Sequence, residues 1–248
     1  MAVMDEFKEE RANLKNQPFK KRLEYFWTYY KWHVLGGLFA AMVVIMLIHD
    51  LLGKTEDVLY GVLLNANSTK IEETLADDFA AYLGIDTDKY SVVFNSGLRM
   101  SEQFDANSID ASEFLSVYIA TGDLDITVMD PYNFRKYAYT NTYKDLRDCL
   151  DSEMLNALSD KLFYVDLALV KEIEARSKAH LSTEDLISPD PTHPEDMTDP
   201  IPVGIDIGGC SRFTDAYYYQ SEQIYLGIVI NSDSVDTAVR FLEFLFAE

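Results

Sequence analysis

Apolar residues follow two distinct patterns along this chain. From Val34 to Ile48 the sequence reads VLGGLFAAMVVIMLI, fifteen positions without a polar side chain. His49 and Asp50 interrupt the run, and Leu51 and Leu52 extend it to nineteen positions. A helix rising 1.5 Å per residue needs about 20 residues to cross a hydrocarbon core of roughly 30 Å. Phe26, Trp27, Tyr29, Tyr30 and Trp32 precede the run, an aromatic cluster of the kind that sits at headgroup depth. The pattern predicts a transmembrane helix over 34–52. A buried helix of a soluble protein and a cleavable signal peptide are the alternatives. Against the second, HDLLGKTED after the run offers no small-x-small cleavage site and no cysteine to accept a lipid. In the preceding segment, 1–33, Phe19, Leu23, Phe26 and Tyr30 recur at helical spacing. That segment reads either as an amphipathic helix on a membrane surface or as an extension of the membrane helix.

After residue 53 the apolar positions come in short runs separated by turn residues. Val58–Ala66 (VLYGVLLNA) reads as a buried strand. Ile71, Leu75, Phe79 and Leu83 share one helical face, and Gly84 is placed as a C-cap. Tyr90–Asn95 reads as a second strand. Phe114, Leu115, Tyr118 and Ile119 predict a helix closed by Gly122, and Leu124–Met129 a third strand ending at Asp130-Pro131. This alternation predicts an α/β domain over 53–248 with a doubly wound, mainly parallel sheet. Further helices are expected around 133–138 and 152–158, and strands at 163–169, 202–207 and 224–230. The segment 188–200 (SPDPTHPEDMTDP) holds four of the seven prolines and reads as an irregular loop. A final helix, 235–246, places Val235, Ala238, Val239, Leu242 and Phe246 on one stripe.

Charge sharpens the division. The net charge is −21, yet residues 1–33 carry +2 and residues 53–248 carry −22. Lys20, Lys21, Arg22 and Lys31 lie just before the apolar run, the distribution that keeps that side cytoplasmic. The expected topology is a single-pass protein of the cell membrane, N-terminus cytoplasmic and C-terminal domain extracellular. So acidic a domain repels nucleic acid, which is excluded as a partner. The expected partners are the lipid bilayer, a small polar solute or an envelope protein.

The sequence contains no nucleophile elbow, phosphate loop or metal-ligand spacing, so no enzyme and no cofactor is expected. The four histidines are scattered, and the acidic residues 190–199 lack the regular calcium-loop pattern. In open parallel sheets ligands sit beyond the carboxyl ends of the strands. Those ends would present Asn65, Asn67, Asn95, Asp130 and Tyr132, with Ser211 joining from a later strand. These residues suit a polar solute; Asn and Asp also cap helices and turns. Asp130 is the best-placed charge. Asp123 and Asp125 read as structural, because their turn lies at the opposite end of the strand. Cys149 and Cys210 allow a disulfide on the outer side or serve as small buried apolar groups.

ATGDLDITVMD at 120–130 and IYLGIVINSDSVDTAVRFLEFLF at 224–246 resemble two pieces of the type II periplasmic-binding-protein fold of solute-binding proteins. The first resembles its helix-turn-strand leading to a ligand-facing tip, the second its late strand and the helix packing back on the first lobe. About 190 residues leave room only for a reduced version of that fold. The resemblance implies a membrane-anchored binding or sensing domain for a small polar solute. The alternative is an envelope interaction or scaffold protein with a non-binding lobe. The YFWxYYKWH entry at 25–33 resembles that of membrane-anchored proteins of uncharacterised function in Gram-positive bacteria.

Overall fold

The computed structural model describes residues 18–52, 55–67, 70–103, 105–214, 219 and 222–247. At 19, 21–26, 28–30, 48–52, 70–73 and 214 only the backbone is described. The chain divides into two units, Met1–Lys54 and Thr55–Glu248.

The first unit contains α1 (Phe19–Leu52), an unbroken helix of 34 residues and so about 51 Å long at 1.5 Å per residue. Six consecutive side chains, Met42, Val43, Val44, Ile45, Met46 and Leu47, are exposed. At 3.6 residues per turn they cover the whole circumference, so over 42–47 the helix is apolar all round rather than on one face. Among the described residues no helix is long and apolar enough to cross a membrane. The side chains at 48–52, the end of the predicted span, lie outside the described set.

The second unit is built on one six-stranded sheet of β1 (Glu56–Leu63), β2 (Tyr90–Asn95), β3 (Ile126–Met129), β4 (Leu162–Asp166), β5 (Pro200–Asp206) and β6 (Tyr225–Ile228), in the order β2-β1-β3-β6-β5-β4. Strands β2, β1 and β3 are mutually parallel; β6, β5 and β4 join by antiparallel pairing. The sheet is therefore mixed, where the sequence predicts a mainly parallel one. The half that is parallel is the half whose strands are joined through helices α2 (Lys70–Leu83) and α3 (Ala106–Thr121), as parallel crossovers require. Both end on glycines with left-handed backbone, Gly84 (φ 68°) and Gly122 (φ 80°).

Alternate residues along β1 and just past its end face opposite layers: Leu59 and Leu63 one, Val62 and Leu64 the other. The first layer is filled by Phe79 of α2 and Phe241 of α8 (Val235–Phe246), with ring centroids 4.9 Å apart. The buried stripe of α8 is Ala238, Phe241, Leu242, Phe244 and Leu245, turned from the predicted one, so that Val235, Val239 and Phe246 lie at its margin. The second layer holds Leu115 of α3, Phe134 of α4 (Pro131–Ala138) and Val170 of α6 (Leu167–Lys178). Two short helices, α5 (Ser152–Ala157) and α7 (Ser211–Thr214), and two 3-10 turns, Leu146–Asp148 and Pro194–Asp196, complete the order among the described residues. The expected strand at 163–169 stops at Asp166, whose side chain accepts from the Ala168 amide and starts α6 instead. The 188–200 loop lies along the outer edge of β4, where the Tyr164 amide donates to the Pro191 carbonyl at 2.9 Å. Cys149 and Cys210 are not joined, so the disulfide the sequence allowed does not form.

Candidate functional site

Strand β1 has β2 and β3 on either side, and the crossovers α2 (β1 to β2) and α3 (β2 to β3) lie on opposite layers of the sheet. A crevice forms where such crossovers diverge, beyond the carboxyl ends of the strands. Here it is a cleft of about 470 Å³ lined by Asn65, Asn67, Arg99, Met100, Ser101, Asp105, Asn107, Asp130 and Tyr219. Residues 68–69, 104, 215–218 and 220–221, its chain neighbours, lie outside the described set, among them Tyr217 and Tyr218.

The floor of the cleft is a hydrogen-bonded clasp. Asn65 has left-handed backbone, φ 63°, which Asn tolerates better than most residues. That turn aims its side-chain amide at the segment after β2. Its Nδ2 donates to the Met100 carbonyl and to Asp130 Oδ2, both at 2.8 Å, and its Oδ1 accepts from the Met100 amide at 2.8 Å. Asp130 caps α4, accepting from the Asn133 amide at 3.0 Å through Oδ1 and from Asn133 Nδ2 at 2.8 Å through Oδ2. The carboxylate singled out for a ligand amine thus accepts three bonds from the protein itself. It and Asn65 tie the chain ends after β1, β2 and β3 together.

The upper wall carries the chemistry still open to a ligand. Arg99 is exposed, and its Nη1 donates to the carbonyls of Ser96 (2.6 Å) and Leu98 (2.9 Å). Those bonds orient the guanidinium and leave Nε and Nη2 without a partner among the described residues. Asn107, in the first turn of α3, is likewise exposed. Asp105 caps that helix: the Ser108 amide and hydroxyl hold its carboxyl below the ordinary value, so it is ionised at neutral pH. Tyr219 Oη donates to the Val128 carbonyl at 3.2 Å. Burial, reinforced by the Asp130 charge, pushes this phenol well above its usual range, so it stays a neutral donor.

Of the residues named from the sequence, Asn65, Asn67 and Asp130 meet in the cleft, and Asn95, Tyr132 and Ser211 do not line it. Asn95 Oδ1 accepts from the Gly97 amide at 3.0 Å in a local turn. Tyr132 is 48% exposed on α4, and Ser211 opens α7. Sequence reasoning missed Arg99, Ser101, Asp105, Asn107 and Asn133. Two signals were available: Asp105-x-x-Ser108 and Asp130-x-x-Asn133 both have the spacing of an N-cap and its acceptor site. Asp125, at the other end of β3, is buried; it accepts from the Tyr60 amide (2.8 Å) and the Ser232 hydroxyl (2.6 Å), a structural role. A second cleft of about 450 Å³ opens at the opposite end of β5 and β6, lined by Lys144, Arg147, Asp148 and Asp199 among others. There Arg147 is held by Asp145, with Nε 2.9 Å from Oδ1.

No protein-family model and no curated protein matches the chain. Among solved structures it is similar to an ABC substrate-binding protein from Listeria monocytogenes in complex with cycloalternan. That match has 13% identity, covers 79% of this chain and 76% of that one, and has a TM-score of 0.35. It is also similar to the substrate-binding domain assigned to a molybdenum ABC transporter from Clostridium difficile. There the identity is 13%, the coverage 78% of this chain and 93% of that one, and the TM-score 0.32. Similarity at this level carries no argument about ligand or role.

Proposed function

We propose that this chain is a membrane-tethered domain that binds a small polar solute in the cleft at the carboxyl ends of β1 and β3. The observation that carries the reading is the cleft itself: it lies where the two crossovers diverge, and Arg99 and Asn107 hold donors there with no described partner. A solute offering carboxylate, carbonyl or hydroxyl oxygens suits them, since a hydrogen bond to a charged group contributes roughly 1.5–3 kcal/mol. Thermal melting of the purified full-length chain against amino acids, short peptides and sugars tests it. A ligand at 100 times its dissociation constant adds about 2.7 kcal/mol, which raises the melting temperature by several degrees. Arg99→Ala should remove that rise without lowering the melting temperature of the unliganded protein. Arg99 is the informative position, because Asp130→Ala would disturb the clasp whether or not a ligand binds.

The second reading, an envelope scaffold whose lobe binds no solute, draws support from the clasp. Asn65 and Asp130 spend their polar atoms holding strand ends together, as a purely structural tip would. If no class of solute shifts the melting temperature, this reading takes precedence.

The tether is α1. Its apolar circumference from Met42 to Leu47 is costly in water, at about 25 cal/mol per Å² of exposed apolar surface, and at home in a bilayer. With Lys20, Lys21, Arg22 and Lys31 on the near side, the expected orientation places residues 53–248 outside the cell. Protease added to intact cells should then degrade that domain and spare a tag at residue 1. Protection of the domain with loss of the tag would reverse the orientation, and recovery of the whole chain in the soluble fraction would remove the tether.

A further inference from the structure

The two edges of the sheet are finished differently. At β4 the outward amide of Tyr164 is taken by Pro191. Strand β2, at the other edge, has no such cover among the described residues, and the phase of its ladder follows from three bonds. Glu56, paired with Tyr90, donates its amide to the Lys89 carbonyl at 2.8 Å, so it faces β2. Past the bulge between Asp57 and Leu59, Tyr60 turns both backbone groups to Asp125: its amide donates to Oδ2, and its carbonyl accepts from the Asp125 amide. Leu59 and Gly61, which alternate with Tyr60, therefore face β2 and bond to Ser91, Val93 and Asn95. Their register partners Val92 and Phe94 must turn N–H and C=O to the open side. No bond from those groups to any described residue occurs. Their side chains are buried beneath the helices, with Phe94 5.2 Å from Phe241.

Protected edges carry Lys, Pro, a bulge or an inward charge. Tyr90–Asn95 (YSVVFN) has none of these, and the stretch from Lys89 to Arg99 contains no acid in a chain of net charge −21. We propose that β2 pairs antiparallel with β2 of a second copy of this chain. The phase of the ladder allows a symmetric register centred on the outward-facing pair. Val92 of each copy exchanges both backbone bonds with Phe94 of the other, and the two-fold axis passes through Val93. No charge lies in the paired strands, so the two copies meet there without repulsion. The contact is isologous, each copy offering the same surface to the other.

At the axis Val93 faces itself in a non-hydrogen-bonded pair, where Cα atoms are about 4.5 Å apart, within the 4.4–6.8 Å range that a disulfide spans. The test uses the full-length chain in mild detergent, with Cys149→Ala and Cys210→Ala as background. Val93→Cys should form a covalent dimer on mild oxidation. Asn95→Cys alone should not, because its copy lies four residues along the ladder, whereas mixing Ser91→Cys and Asn95→Cys proteins should link them. Val92→Pro removes an outward donor without touching a bond to β1, and should leave the melting temperature near that of the parent while abolishing the Val93→Cys link. If that variant fails to fold, Val93→Asp, which sets two like charges on the axis, should abolish dimerisation in the same way. A Val93→Cys protein that stays uncrosslinked at tens of micromolar, or crosslinking as efficient at Asn95→Cys, overturns the proposal. Because the readout is register, association through α1 alone cannot mimic it, and solute binding in the cleft does not enter.

Discussion

Phe134→Ala is expected to destabilise the Thr55–Glu248 unit by about 3–5 kcal/mol, enough to bring a domain of ordinary stability close to unfolding. The ring is fully buried and stacks on Tyr143, with centroids 4.6 Å apart and planes 5° from parallel. It also contacts Phe163 at 5.0 Å and Tyr225 at 5.5 Å. Two glycines make room for it: a Cβ on Gly204 would lie 2.4 Å from its Cζ, and one on Gly227 3.0 Å from its Cε2. Neither glycine carries a side chain that could fill the space, so the cavity would largely persist. Phe134 follows Asn133 directly, so the clasp under the cleft should loosen as well. Urea denaturation of parent and variant measures the effect; a loss below about 1 kcal/mol would show that the site collapses, against this packing argument.

Asp166→Asn is expected to cost about 2–4 kcal/mol at neutral pH. Its carboxylate ends β4, caps α6 and holds the chain entering β5. Oδ1 accepts from the amides of Ala168 and Asp199, both at 3.0 Å, and Oδ2 accepts from Thr198 at 2.9 Å. Burial pulls the carboxyl up, but the amides of Thr198, Asp199, Ala168 and Leu169 outweigh it and set it below its ordinary value. A group with a depressed folded pKa contributes stability that is present above its unfolded value of about 3.9 and is lost as pH falls through the folded one. The stability gap between parent and variant should therefore be full at pH 7 and shrink below about pH 4. An equal gap at pH 7 and pH 3 would mean that charge plays no part in this cap.

How much of this was legible differs between elements. Helices α2, α3 and α8 announce themselves by apolar spacing and by glycines at 84 and 122, because those features depend on local geometry alone. Strands β1, β2 and β3 show as apolar runs for the same reason. Strand direction does not: β5 and β6 read like the first three, yet both they and β4 pair antiparallel. Apolar content records burial on both faces and says nothing of which way the chain runs. The site divides similarly. Its position followed from the alternation of strands and helices, whereas the ownership of Asp130 depended on Asn65 and Asn133 meeting it, one of them 65 residues away. Arg99 carried no periodic signal at all, since it sits in the irregular segment between β2 and α3.

The Pro191 carbonyl on Tyr164 has a consequence for assembly size. A sheet open at both edges can add copies without limit and grow into a filament, the hazard that edge strands pose. With Tyr164 covered in this way, β2 is the more open of the two edges among the described residues. Whatever pairs at β2 ends the series there, so pairs of these sheets can form without seeding a fibre.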